Sequence, residues 1–260
     1  MSSLGSVTPA TVFVDADNTL WDTDHVFADA QLSLLGDVEI AMATTCSATN
    51  RLGFIRALDQ AIAARHHSGL RYPPKLLIRA AALALAGTGT FEAARASRLG
   101  SRPPLLSEAR EGDIEQSYFS ALRAVPELRP GVMSGMLSLQ QAGSAVLIVS
   151  EAARAKVERI AAAVGLDGHF TRVIEGQKRS QLYKRILRLS RLPERAFMIG
   201  DQLDRDIAPA KEAGLVTIYF PGGFQPNWAP DEAAVQPDFK VSDFAQAAQI
   251  VLNGDPCPTC

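Results

Sequence analysis

Thr11-Val12-Phe13-Val14-Asp15-Ala16-Asp17-Asn18-Thr19 is the stretch whose reading governs the rest. Its first four residues are β-branched or aromatic and carry no charge, which suits a strand covered on both faces, as in a parallel sheet. The run then stops at two carboxylates two positions apart. Buried and unpaired, such groups are costly, so a cation is the natural compensation. Runs of the same kind recur at Ala145 to Val149, Ala196 to Ile199 and Leu215 to Phe220, with a weaker one at Thr171 to Ile174.

Helical patterns alternate with these strands. Pro130-Gly131 opens an amphipathic stretch stopped by Gly143, Glu151 to Val164 ends at Gly165, and Ser180 to Leu189 keeps apolar residues at Leu182, Ile186 and Leu189. Asp206 to Ala213 closes at Gly214, and Ser242 to Leu252 is followed by Gly254. Proline inside a helix start and glycine past a helix end are the expected punctuation. The alternation predicts an α/β fold, a Rossmann-like parallel sheet with helices on both faces.

The long interval between Val14 and Ala145 carries no strand pattern. Asp24 to Leu35, Arg51 to Arg65, Pro74 to Ala86 and Leu105 to Ala124 read as helices, with turn signals at Gly36, Ser68-Gly69, Gly87-Thr88-Gly89, Gly100 and Pro103-Pro104. The expected organisation is a catalytic core of residues 1–21 and 127–260, interrupted by an all-helical cap domain of residues 22–126.

Composition sets the broad class. The chain of 260 residues is 47% hydrophobic and 21% charged, as ordinary globular proteins are. A formal net charge of -2 gives no pointer to a nucleic acid polymer or an anionic membrane. No apolar run approaches the ~20 residues of a membrane span, and the start shows no secretory leader pattern, so a cytoplasmic location is the expectation. Three cysteines, with Cys257-Pro-Thr-Cys260 at the end, argue against a disulfide framework. That CxxC reads as a tail, since it comes after Gly254 and Pro256 instead of opening a helix.

Four features sit just beyond strand ends, where open α/β sheets bind ligands. They are Asp15 to Thr19, Ser150, Lys178, and Gly200-Asp201-Gln202-Leu203-Asp204-Arg205-Asp206. Phosphoryl transfer needs such a set. A carboxylate nucleophile splits hydrolysis into two displacements, and a second acid protonates the leaving oxygen. A hard divalent cation on carboxylates screens the anionic repulsion, while lysine and hydroxyl donors complete the cradle.

On Asp15-x-Asp17-x-Thr19, Ser150, Lys178 and Gly200-Asp201-x-x-x-x-Asp206, in this order, the chain resembles the haloacid dehalogenase superfamily, in its phosphatase branch. The likeness spans Val12 to about Pro221 and includes a helical cap inserted after the first strand. It implies a Mg²⁺-dependent phosphomonoester hydrolase acting on a small phosphorylated metabolite through an aspartyl-phosphate. Asp15 would be nucleophile and metal ligand, and Asp17 the general acid/base with its backbone carbonyl on the metal. Thr19, Ser150 and Lys178 would bind the phosphoryl group. Asp201 would coordinate Mg²⁺, with Asp206 supporting the metal from a second shell. Two residues depart from the family's pattern. Gln202 stands where Ser or Asn is common, and Lys178 lies in Glu-Gly-Gln-Lys-Arg-Ser, which leaves Arg179 and Lys184 as alternative cations.

Asp17 argues for phosphate esters over halides, because a halide leaves without protonation. A phosphonatase would need a cap lysine, and Lys75 reads as a helix start. A phosphomutase would carry the same acids, and a non-catalytic binding protein of this fold is the remaining alternative. The reading leaves a homodimer open. Nine Lys or Arg between Arg51 and Arg102 face only Asp59 and Glu92, a bias that could steer an anion but reads first as solvated helix faces. His66-His67 read as a helix end. Phe224 and Trp228, in the turn-rich Pro221 to Trp228, read either as site neighbours or as cover for a domain edge.

Overall fold

The computed structural model describes residues 9–65, 72–189 and 195–253. His66-His67, the Ser68-Gly69 turn signal, Gly254 and the Cys257–Cys260 pair lie outside the described residues. Strand β1 (Thr11–Val14) precedes helices α1 (Thr23–Met42), α2 (Arg51–Ala63), α3 (Pro74–Leu85), α4 (Thr90–Leu99) and α5 (Glu108–Ala121). Then come α6 (Val132–Gln141), β2 (Ala145–Ser150), α7 (Arg154–Ala163), β3 (Arg172–Glu175), α8 (Ser180–Leu189) and β4 (Ala196–Gly200). A single π turn (Leu203–Ile207) leads into α9 (Ala208–Glu212), β5 (Val216–Tyr219), α10 (Glu232–Val235), β6 (Phe239–Lys240) and α11 (Phe244–Asn253).

Contacts divide the chain into two compact units. The first, Met1–Asp24, Val125–Gln225 and Ala229–Cys260, holds the whole sheet. All strands run parallel in the order β3-β2-β1-β4-β5-β6. Alternation along β1 explains its lack of charged residues. Val12 and Val14 enter the cluster with Met136, Leu139, Phe220 and Phe244, while Phe13 enters the opposite one with Tyr183 and Met198. Both faces are buried, as the uninterrupted apolar run requires. From β1 the chain steps to β2 and β3 on one side, then returns to β4 on the other. The strand order therefore reverses between β1 and β4, the place where such sheets open a crevice beyond their carboxyl ends.

The second unit, His25–Ala124 with Pro226–Trp228, is helical. Its core joins Leu34, Leu35 and Val38 of α1 to Ile55, Leu58, Ile78, Ala93 and Ile114 from the other four helices. Two buried acids tie it together. Glu39 takes a fork from Arg51 at 2.6 and 2.8 Å, and Glu111, 1% exposed, takes one from Arg79 at 2.8 and 2.7 Å. Arg95 pairs with Glu92 at 3.5 Å. Two of the nine cations, Arg51 and Arg79, are therefore committed to buried acids of the helical unit.

Two readings of this region are corrected. Gly36 does not end a helix; α1 runs through it, because Leu34, Leu35 and Val38 bury on either side and outweigh the ~1 kcal/mol that glycine costs in a helix. Thr90 to Leu99, where the sequence raises no helix expectation, forms α4. Its buried face is small residues (Ala93, Ala94, Ala96, Ser97), whose apolar pattern is faint.

Candidate active site

Register brings the site together. Val14 of β1 pairs with Ile148 of β2 and with Ile199 of β4, so the residues just past each strand emerge at one edge. Asp15 is 4% exposed, Ser150 3% and Asp201 1%. The loop after β1 turns sharply because Leu20 N–H donates to the Ala16 carbonyl at 2.9 Å and Asn18 takes a left-handed φ of 59°. Asparagine tolerates that conformation better than most residues. The turn sets the Thr19 hydroxyl 3.1 Å from Asp15 Oδ2. It leaves the Asp17 carboxylate accepting from Trp21 Nε1 at 3.0 Å and Thr23 Oγ1 at 2.8 Å.

Beyond β4, Gly200 makes room for Asp206. A Cβ at Gly200 would fall 2.5 Å from Asp206 Cγ. The π turn carries Asp206 back under the strand tip, where its Oδ2 accepts from Gln202 N–H at 2.9 Å and its Oδ1 from Lys178 Nζ at 2.6 Å. Such π turns are rare and gather at functional sites. Lys178 Nζ also binds Asp15 Oδ1 directly, and its side chain is 6% exposed. Arg179 and Lys184 do not enter this contact set. Ser150 Oγ accepts from Ala152 N–H at 3.0 Å.

The charges are unbalanced. Asp15, Asp201 and Asp206 each present a carboxylate oxygen within 4.8 Å of the others, against the single ammonium of Lys178. Burial, despite the Lys178 ammonium and with help from Asp206 and Asp17, pushes the Asp15 carboxyl up to about 7. Burial and the neighbouring Asp15 and Asp206 charges likewise raise Asp201. Burial works against the Lys178 charge, but the Asp15 and Asp206 carboxylates override it and hold that amine protonated well above its ordinary range. Among the described residues, Asp201 Oδ1 is buried with no hydrogen-bond partner. An orphan carboxylate oxygen in a cluster with excess negative charge fits a divalent cation, and an all-oxygen donor set suits a hard one. A 2+ ion would bring the cluster to formal neutrality.

Three residues here lie outside the sequence reading. Gly222, in the loop after β5, sits so close that a Cβ would lie 2.5 Å from Asp201 Oδ2. Gln225 Nε2 donates to the Asp201 carbonyl at 3.2 Å. Arg129 donates to the Asn18 carbonyl. Only the Gly222-Gly223 pair left a signal, as glycines just past a strand. Phe224 and Trp228 fall in different units, and Trp228 is half exposed.

A reversed strand order with acids at its switch point places the chain in a class, the Rossmann-like proteins whose site lies at the carboxyl edge of a parallel sheet. A family model for haloacid dehalogenase-like hydrolases matches residues 9–214, and the chain belongs to that family. Similar solved structures include a predicted phosphoglycolate phosphatase from Haemophilus somnus 129pt, at 19% identity and TM-score 0.58, covering 92% of this chain and 96% of that one. The putative HAD-hydrolase YfnB from Bacillus subtilis, bound to magnesium, is similar at 17% identity and TM-score 0.58, covering 94% and 98%. CbbY from Rhodobacter sphaeroides, in complex with xylulose-(1,5)bisphosphate, is 18% identical with a TM-score of 0.51, covering 91% and 95%. A comparison with curated proteins gave no match. Among the described residues no helix is long and apolar enough to cross a membrane.

Proposed function

We propose that the chain is a Mg²⁺-dependent phosphomonoesterase acting on a small phosphorylated metabolite, with Asp15 as covalent nucleophile. One observation carries this reading: three buried carboxylates within 4.8 Å of one another, one oxygen of which lacks a partner, beside a lysine that contacts the foremost of them.

Asp15, Asp201 and Asp206 would hold the ion, with the Asp17 carbonyl joining them and Asp206 acting directly or through a water. When bound, Mg²⁺ would polarise the phosphoryl oxygens and screen their repulsion from Asp15. An Asp15 oxygen attacks phosphorus, the bond to the leaving oxygen breaks with its electron pair, and Asp17 delivers a proton to that oxygen, releasing an alcohol. Water then attacks phosphorus as Asp17 takes its proton. The bond to Asp15 breaks, and inorganic phosphate departs. Lys178 keeps Asp15 anionic enough to attack, the Ser150 hydroxyl donates to an equatorial oxygen, and the Thr19 hydroxyl, which rests on Asp15 Oδ2, would turn to do the same. Asp17, held by Trp21 and Thr23 beside the nucleophile turn, supports ester over halide chemistry.

The test is phosphate release from an aryl phosphate and from a panel of sugar phosphates, nucleotides and phosphorylated small acids, with and without Mg²⁺. Turnover that needs Mg²⁺ and stops with EDTA is expected. Halide release from a haloacid, or no phosphate from any ester in the panel, would defeat the reading.

A further inference from the structure

Arg129 lies outside the acidic cluster and outside every motif of the sequence, yet its guanidinium joins two loops of the site. The backbone brings it there. Glu127 and Arg129 exchange hydrogen bonds with the segment just after the nucleophile turn: Asp22 N–H donates to the Glu127 carbonyl at 2.9 Å, and Arg129 N–H donates to the Leu20 carbonyl at 3.0 Å. From this anchor the side chain donates Nη1–H to the carbonyls of Asn18 and, at 3.3 Å, Phe220, and Nη2–H to the carbonyl of Pro221 at 2.7 Å. The guanidinium carbon stacks 3.6 Å from the Phe220 ring centroid. A planar fork meeting three carbonyls and a ring is arginine chemistry that lysine cannot reproduce.

Both fastened loops press on the acidic cluster. Asn18 is the left-handed residue next to Asp17, and its Oδ1 also accepts from Asp24 N–H at 2.7 Å. Phe220-Pro221 leads into Gly222, which lies against Asp201 and Asn18 together: an added Cβ would come 2.5 Å from Asp201 Oδ2 and 3.0 Å from Asn18 Cβ. The Arg129 charge also acts on Asp201, as the Asp201 carboxylate does in return on Arg129.

We infer that Arg129 is a positioning residue for metal binding: by clamping Asn18 to Phe220-Pro221 it fixes the loops that frame Asp201 and Asp17, and so sets the affinity of the site for Mg²⁺. The inference rests on the reading of this site as a Mg²⁺ phosphatase. It concerns no contact of Arg129 with substrate, so its mark is a separation between metal affinity and substrate KM.

The experiment titrates the metal-free full chain with MgCl₂ and tracks tryptophan fluorescence in a Trp228→Phe background. The remaining indole, Trp21, is buried and bonded to Asp17. Arg129→Met is expected to weaken Mg²⁺ about tenfold or more, the scale on which groups supporting metal ligands act. Arg129→Lys, which keeps the charge but has a single donor nitrogen in place of the fork, should fall between Met and wild type. Substrate KM at saturating Mg²⁺ should move less than about threefold, since the ligands themselves remain. A folded Met variant that binds Mg²⁺ as the wild type does overturns the inference, whatever happens to its melting temperature. Should Met fail to fold, the Lys variant decides on the same criterion. A wild type that binds no Mg²⁺ defeats the phosphatase reading first and this inference with it, a result distinct from a variant that keeps wild-type affinity.

Discussion

As the proposed nucleophile, Asp15 would carry opposing demands, because a nucleophile must be ionised and burial resists that. Its folded pKa of about 7 lies above the ordinary value of 3.8, so the metal-free folded state holds a proton that the unfolded state releases over that window. Stability from this group is therefore present at low pH and lost as pH rises toward about 7. Asp15→Asn removes the titration. The melting temperature of the metal-free wild type should fall relative to that of the Asn variant as pH rises across this window. A constant difference would place the Asp15 pKa near its ordinary value. The same variant should lose at least about three orders of magnitude in turnover, as loss of a covalent nucleophile does elsewhere. Gly222→Ala tests a subtler demand. Its Cβ would crowd Asp201 Oδ2, so about a tenfold loss in Mg²⁺ affinity with an unchanged circular dichroism spectrum is expected.

Elements supply the geometry that these residues exploit. The strands were the most legible part of the chain, because burial on both faces leaves β1, β2 and β4 as uncharged, mostly apolar runs that end at the candidate site. The π turn was not legible. The motif singles out Asp206 over Asp204, but not the device that does so: the Gly200 gap and the Gln202 N–H bond turn Asp206 inward while Asp204 stays exposed. Arg129 was equally hidden, since its partners are backbone carbonyls, which carry no residue signature. Helix α4 and the passage of α1 through Gly36 were missed because small buried residues and one tolerated glycine blur a helical period. Gly200→Ala should strain the β4 tip against Asp206 and cost about 1–3 kcal/mol, read by denaturant midpoint. In the helical unit, Arg79→Ala strands the buried Glu111 carboxylate. With Arg79 itself partly exposed, a loss of about 1–3 kcal/mol is expected, and Glu111→Gln in the same background should recover part of it.

At the scale of the whole molecule, the fold serves to bring acids together that no local segment could unite. Asp15 and Asp201 flank the reversal of strand order, and Lys178 reaches Asp15 and Asp206 from beyond β3. The excess negative charge of the cluster disfavours the metal-free protein, and on the proposed reading a cation would relieve it. Mg²⁺ should therefore raise the melting temperature, adding about 2.7 kcal/mol of stability at a hundredfold excess over Kd. Protons compete for the raised carboxylates, so the gain should be larger at about pH 8 than at about pH 6. A metal effect independent of pH would put the ion elsewhere. The proposed covalent step is open to the most direct measurement: acid quenching during turnover, then mass spectrometry of the peptide that contains Asp15. A phosphoryl group on Asp15, formed only with Mg²⁺ and absent in Asp15→Asn, is the predicted result. Phosphate on another residue, or sustained turnover with unmodified Asp15 at every quench time, would contradict the account.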